Sequence, residues 1–175
     1  VQEIDDGRVE FDVIIARLAQ VQVRGEAGRS APLLQRYVDK LTAEPLFNIG
    51  QAERYLLLAR DIPGLDVRLS LQPVGEGGVP GEVVGVFDVQ RTPVTADLNL
   101  QNYGSRSVGR IGGFGRVILN GLTGLGDRTT LGLFATADWD EQHLVQAGHE
   151  FRVGSEGLTL GTDVTYAWTK PDLPG

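Results

Sequence analysis

Two glycine runs, Gly109-Arg110-Ile111-Gly112-Gly113-Phe114-Gly115 and Gly121-Leu122-Thr123-Gly124-Leu125-Gly126, have the composition of a loop that could wrap a phosphate. Such a loop needs a strand before it and a helix after it, whose first amides face the anion. No helical pattern follows either run, and neither ends in Gly-Lys-Ser/Thr. Both read instead as turns, or as glycines that relieve crowding in a curved sheet. His143 and His149 lie six apart. On an extended strand they share a face at a separation of roughly 20 Å, too far for one metal ion to bridge. They read as solvated side chains, on a surface or facing a lumen. Asp138, Asp140 and Glu141 surround Trp139 without the spaced ligands and central glycine of a calcium loop, and read as a hairpin turn. Ser105 and Ser107 flank Arg106 outside any Gly-x-Ser-x-Gly context. Asp61 and Asp66 flank Pro63-Gly64. A carboxylate pair does acid–base work in a shared cleft, but here the two read as a helix end and a strand start. The expectation is a non-enzyme with no catalytic residues, no cofactor and no metal.

Composition narrows the classes further. With no Cys, disulfide scaffolds, thiolate metal sites and cysteine nucleophiles are excluded. A formal net charge of −7 argues against nucleic-acid binding, which needs clustered Lys and Arg on the phosphates. No apolar run approaches the ~20 residues of a membrane helix, and no signal peptide opens the chain. Since Met is absent altogether, the sequence reads as an interior piece of a longer protein.

The elements that would position these residues fall into two halves. Of the 24 glycines, 10 lie in residues 1–100 and 14 in 101–175. The boundary is placed between 92 and 93, beside Pro93, which has no amide proton and suits a strand end or linker. In residues 1–92, Val9, Phe11, Val13 and Ile15 alternate with Glu10, Asp12 and Ile14, and Ala19, Val21 and Val23 alternate up to Gly25; both read as strands. A helix is predicted over 30–44, with Ser30 as N-cap, Pro32 in the first turn and an apolar stripe of Leu33, Leu34, Tyr37, Val38 and Leu41. A second helix starts at Asn48, with Gln51 three positions on as in a capping box, and buries Ala52, Tyr55, Leu56, Ala59 and Ile62. Pro63-Gly64 stops it. Val67, Leu69 and Leu71 alternate with Asp66, Arg68, Ser70 and Gln72; a Gly-rich loop over 75–81 then leads to a return strand over 82–90. The predicted class is α+β, in the order β-α-α-β-β with both helices on one sheet face.

Residues 93–175 keep the period of two throughout. Leu98 and Leu100 alternate with Asp97, Asn99 and Gln101; 111–119, 130–137 and 143–153 are further antiparallel strands. The clearest is the last, where Leu158, Leu160, Thr162, Val164, Tyr166 and Trp168 oppose Thr159, Gly161, Asp163, Thr165, Ala167 and Thr169. An apolar face ending in Tyr and Trp, opposite a face of small and polar residues, suits a membrane barrel strand. A strand of a soluble sandwich alternates in the same way.

Two segments favour the barrel: residues 53–65 (Glu53-Arg54-Tyr55-Leu56-Leu57-Leu58-Ala59-Arg60-Asp61-Ile62-Pro63-Gly64-Leu65), and residues 96–105 (Ala96-Asp97-Leu98-Asn99-Leu100-Gln101-Asn102-Tyr103-Gly104-Ser105) followed by Gly109-Arg110. At this separation they resemble the outer-membrane transporters of two-partner secretion, the haemolysin-secretion and activation family. There a polypeptide-transport-associated (POTRA) domain leads straight into the first barrel strands. Asn120-Gly121 through Gly124-Leu125-Gly126-Asp127 resembles the following turn. The resemblance runs from about residue 8 to residue 169. Ile15-Ala16 stand where the family often carries Glu-Gly. The family's plug helix, first POTRA domain, remaining strands and inward-folded loop have no counterpart in these residues, and Phe151-Arg152-Val153-Gly154 is not that loop's Arg-Gly motif.

The resemblance implies a periplasmic POTRA-like domain over 1–92 and the N-terminal strands of an incomplete transmembrane β-barrel over 93–175, in a bacterial outer membrane. Its partners would be an unfolded, extended secreted client and outer-membrane lipid. Client contact is expected at an exposed sheet edge, with Val67, Leu69 and Leu71 (or the strand over 9–15) first and the helix rim at Leu33 and Tyr37 second. Asp97, Asn99, Gln101, Asp163 and Thr165 would face the pore; Leu98, Leu100, Leu160, Val164, Tyr166 and Trp168 would meet lipid. So few strands cannot close. An isolated piece in water is therefore expected to form oligomers or leave its second half poorly ordered. Two other readings share the pattern: a barrel-assembly factor of the same superfamily, and a soluble α+β binding domain joined to a β-sandwich.

Overall fold

The computed structural model describes residues 4–5, 8–9, 17–43, 48–75, 79, 81–104, 109–139 and 141–170. Ile4–Asp5 (β1) and Arg8–Val9 (β2) pair antiparallel. The rest of the strand expected over 9–15, Ile15-Ala16, Ser105 to Ser107 and Asp140 lie outside the described residues.

The first unit is a three-stranded sheet under two helices. Its strands are Arg17–Gly25 (β3), Leu65–Pro73 (β4) and Glu82–Arg91 (β5), in the spatial order β3-β5-β4. β5 runs parallel to β3 and antiparallel to β4. The last strand in sequence is thus the central one, and β4 is left as an outer edge. The helices are Ala31–Thr42 (α1) and Ile49–Arg60 (α2). The expected stripe of α1 is buried, and Ala52, Tyr55 and Ala59 of α2 join it, with Tyr37 and Tyr55 stacked at 6.4 Å between ring centroids. Ile62, Leu65, Val67, Phe87 and Val89 complete one contiguous core, the apolar burial that sustains a domain of this size.

Local chemistry departs from expectation at two points. Ser30 is not a side-chain cap: a 3₁₀ turn over Gly28–Ser30 precedes α1, the Ser30 backbone is already helical, and its hydroxyl makes no capping bond. Asn48 does cap α2, accepting from the Gly50 and Gln51 amides at 3.0 and 3.3 Å. In β3 the strict alternation of Ala19, Val21 and Val23 fails. A bulge between Leu18 and Gln20 inserts one residue, so Leu18 and Val21, three apart, both pack on the core while Ala19 is exposed; Val23, two on from Val21, is also exposed.

Only Thr92 and Pro93 separate β5 from the second sheet, a meander of five antiparallel strands in sequence order. These are Val94–Gln101 (β6), Gly112–Asn120 (β7), Arg128–Thr136 (β8), Gln142–Val153 (β9) and Leu158–Thr169 (β10). β6 and β10 are unpaired on their outer sides among the described residues.

Candidate functional site: a two-faced sheet and its junction with the helical layer

Cross-strand partners in an antiparallel pair point to the same face, so register alone sorts the side chains of the second sheet. One face carries Leu98 opposite Gly115 and Leu133, then Val145 and Tyr166; beside them run Val117, Leu131, Ala147 and Val164, and Leu160 with Phe151. The other carries Asp97 with Arg116, Arg128 with Glu150, Gln146 with Thr165, and Asp163 lying over Gly148, together with Asn99 and Gln101. All five residues expected on the polar side share that face. Asp97 and Arg116 form an ion pair at 2.9 Å, Arg128 and Glu150 one at 3.4 Å.

Among the described residues no protein layer covers the apolar face. Leu98, Leu100 and Val164 are 74%, 75% and 64% exposed, and among the described residues the hydrophobic core contains nothing beyond Val89. Water would leave this large contiguous patch unsatisfied. A sandwich buries its alternating face under a second sheet; among the described residues no strand packs there. β9 and β10 have 12 residues each. At about 3.3 Å per residue and a tilt near 40° they reach roughly 30 Å, enough for an apolar band about 25 Å tall.

Aromatic rings collect at one end of this face. Trp139 and His143 are 5.6 Å apart, His143 stacks on Trp168 at 5.1 Å, and Tyr166 lies 5.3 Å from Trp168. Both histidines sit, half-buried, on the apolar face. His143 pairs across from Trp168, and His149, opposite Thr129, shares a 2.9 Å hydrogen bond with it. Period-two counting placed them on one face correctly but could not say which.

The glycines do structural work. Phe134 lies over Gly112 and Phe114 over Gly132, so a Cβ at either glycine would come within 2.6 and 3.1 Å of a ring. The second run is a turn folded around Asp127, whose side chain is fully buried. Its carboxylate accepts from the Leu122 and Thr123 amides, both at 2.9 Å, and from the Thr123 hydroxyl at 2.6 Å. Burial pushes the carboxyl's pKa up, but these hydrogen bonds outweigh it and leave it below the ordinary 3.8. A folded-state pKa below the unfolded one stabilises above the unfolded value and is lost as pH falls through the folded one. The Leu122 and Thr123 amide resonances should therefore report an acid titration with a midpoint below 3.8; a midpoint at or above it would contradict the geometry. Asp127→Ala orphans three donors and should cost about 1–3 kcal/mol of stability by chemical denaturation.

This turn and the one over 154–157 dock on the helices. Arg29 donates to the Leu122 carbonyl, Arg152 to the Asp61 carbonyl, and Glu156 takes Lys40 at 3.3 Å and Arg54 at 2.8 Å. The Pro-Gly end of α2 meets the sheet as well. Thr92 N–H donates to the Gly64 carbonyl at 2.8 Å, and Asn120 holds Thr92 and Pro93 through its side chain and amide at 3.1 and 2.8 Å. Asn120, Asp127, Arg152 and Glu156 were not singled out as contacts by sequence reasoning. Their partners, apart from those of Asp127, lie 27 to 116 positions away, and no local period marks them.

Of the residues expected at the client edge, Val67, Leu33 and Tyr37 are core side chains, so none is available to a partner; Leu69 is half-buried and Leu71 exposed. The strand they mark, β4, is nevertheless one of the two outer strands of this sheet, with β3 the other. What it presents is a row of backbone N–H and C=O groups rather than a set of pockets.

No protein-family model and no curated protein matches this sequence. Solved structures do. CdiB from Escherichia coli aligns over 95% of this chain and 30% of its own, with a TM-score of 0.58 and 19% identity. CdiB from Acinetobacter baumannii aligns over 92% and 30%, with 0.58 and 15%. BamA from Haemophilus ducreyi lacking POTRA domains 1–3 aligns over 91% and 29%, with 0.58 and 14%. The chain thus spans about 30% of the length of the structures it matches. At these identities the likeness establishes the fold: helical layer, junction and strand meander together. The similarity to two-partner secretion transporters read from the sequence motifs is met in that shared fold.

Proposed function

We propose that this chain is the junction of an outer-membrane protein translocator of the two-partner secretion type, working without bond chemistry. Residues 1–92 form a POTRA-like domain in the periplasm that receives an unfolded client. Residues 93–175 form the first strands of a β-barrel, apolar face to lipid and polar face to the pore. The observation that carries this reading is the uncovered apolar face: a sheet with one greasy and one charged side, outside any protein core, suits a wall between hydrocarbon and water. The free outer sides of β6 and β10 fit a sector of a larger closed barrel. The equal TM-score of BamA supports a second reading, assembly of other barrel proteins, and a count of POTRA units in the full-length protein separates the two.

Client capture is assigned to the free edge of β4 by strand addition. Adjacent residues on a strand aim their N–H groups to opposite sides, so of Ser70→Pro and Leu71→Pro one removes an outward donor and the other a ladder bond to β5. The outward variant should keep its fold by circular dichroism and lower secretion by about tenfold or more. Unchanged secretion in a folded outward variant removes the edge from the mechanism.

A further inference from the structure

A cavity of about 570 Å³ lies between the two units. One wall is the end of α2 and the start of β4, with Arg60, Asp61 and Leu65; the other is the polar face of β8–β10, with Arg128, Glu150, Arg152 and Thr159. Building on the translocator reading, we infer that this cavity is a binding site for an extended polypeptide segment, held through its backbone carbonyls and its acidic side chains.

Three observations converge on it. The first is position. Leu65 opens both the cavity wall and the free edge strand, so a chain paired along β4 leaves that strand here. The opposite wall continues as the polar face of the sheet through Thr159, Gly161, Asp163 and Thr165. The cavity therefore joins the capturing edge to the pore wall without a break.

The second is chemistry. Three arginines line the cavity against two carboxylates, Asp61 and Glu150, an excess of positive charge in a chain whose formal charge is −7. Glu150 pairs with Arg128, while Arg60 has no ion pair among the described residues. Guanidinium forks are suited to carboxylates and carbonyl oxygens, and offer nothing to an ammonium group.

The third is an unmet donor. Arg152 spends one terminal N–H on the Asp61 carbonyl, but its Nε is buried without a partner. The buried Tyr37 hydroxyl stands beside this guanidinium, close enough for a side-chain hydrogen bond with it. A buried donor left unpaired is costly, and an acceptor brought by a bound chain would satisfy it.

The test uses the full-length protein in detergent and two synthetic peptides, alternating Glu-Thr and alternating Lys-Thr, each ending in one cysteine. These residues contain no Cys, so Thr159→Cys introduces a single reactive position in the cavity, and Asn99→Cys serves as a control on the polar face away from it. With each peptide's cysteine supplied as its thiopyridyl mixed disulfide, the Glu-Thr peptide should exchange onto the Thr159→Cys thiolate, releasing thiopyridone, about tenfold faster than the Lys-Thr peptide does. Adding Arg60→Glu, an exposed change, should erase that preference. Equal rates for the two peptides, or equal trapping at Asn99→Cys, would overturn the inference. Conductance of the same preparation in planar bilayers reports on the translocator reading separately. A conducting protein with no charge preference at Thr159→Cys loses the vestibule and keeps the pore, whereas no conductance removes the pore reading on which the vestibule depends.

Discussion

Val164→Arg should destabilise this sheet in lipid vesicles by about 2–4 kcal/mol, while Thr165→Arg, one residue on, should be nearly as stable as the parent. The two positions lie near the middle of β10 and point to opposite faces. Val164 shares its face with Ala147 and Tyr166, and Thr165 pairs with Gln146 on the polar side. At the midplane of a bilayer an outward arginine on a barrel costs about 2–4 kcal/mol, and a lumen-facing one far less. Such a penalty consumes a large share of the 5–15 kcal/mol that holds a typical protein folded. Denaturant titration of the full-length protein refolded into vesicles measures the difference directly. Comparable loss at both positions, or at neither, would mean that the sheet has no lipid side.

Gly64→Ala should sever the junction at its tightest point. Gly64, four residues past the end of α2 at Arg60, has φ +75°, a left-handed conformation that costs an L side chain about 1–2 kcal/mol. A Cβ there would also stand 2.5 Å from the Asn120 Cβ and 2.6 Å from the Thr92 carbonyl. Backbone cannot swing aside as a flexible side chain can, so the Thr92–Gly64 and Asn120–Thr92 hydrogen bonds must break or stretch. The expected outcome is a loss above about 2 kcal/mol from strain and lost bonds together. It should appear as a widened distance between spin labels on α1 and β8, with the helical layer itself still folded. Gly50, in the first turn of α2 and facing only its own cap at 3.4 Å, is the matched control. Gly50→Ala should be neutral or slightly stabilising, because alanine favours a helix.

The junction brings together two sequence motifs distant from one another. Pro63-Gly64 reads locally as a helix stop, and Asn120-Gly121 as the start of a turn. In the fold each is the other's neighbour: Gly64 clears the space that Asn120 occupies, and Asn120 closes the linker between the sheets. The glycine run over 121–126 gains its meaning in the same way. Gly124 and Gly126 approach Arg29 and Leu33 of the helical layer so closely that a Cβ would stand 3.0 and 2.5 Å from them. A run that looked like a phosphate loop by composition is a docking surface for α1.

What the sequence determined by itself follows from short-range geometry. A strand turns its side chains over every residue and a helix every hundred degrees, so the alternation from Leu158 to Trp168 and the stripe from Leu33 to Leu41 specify element type and sidedness wherever they occur. Even so, the bulge at Leu18/Gln20 and the 3₁₀ turn at Ser30 escaped that reading, because each shifts the period by a residue without changing composition. Only the tertiary structure decided that β5 lies between β3 and β4, that Leu33, Tyr37 and Val67 are core rather than contact residues, and that Arg152 and Glu156 grip helices some 90 to 116 positions earlier. Those contacts depend on where two distant segments meet, and a chain's local periodicity carries no record of its partners across space.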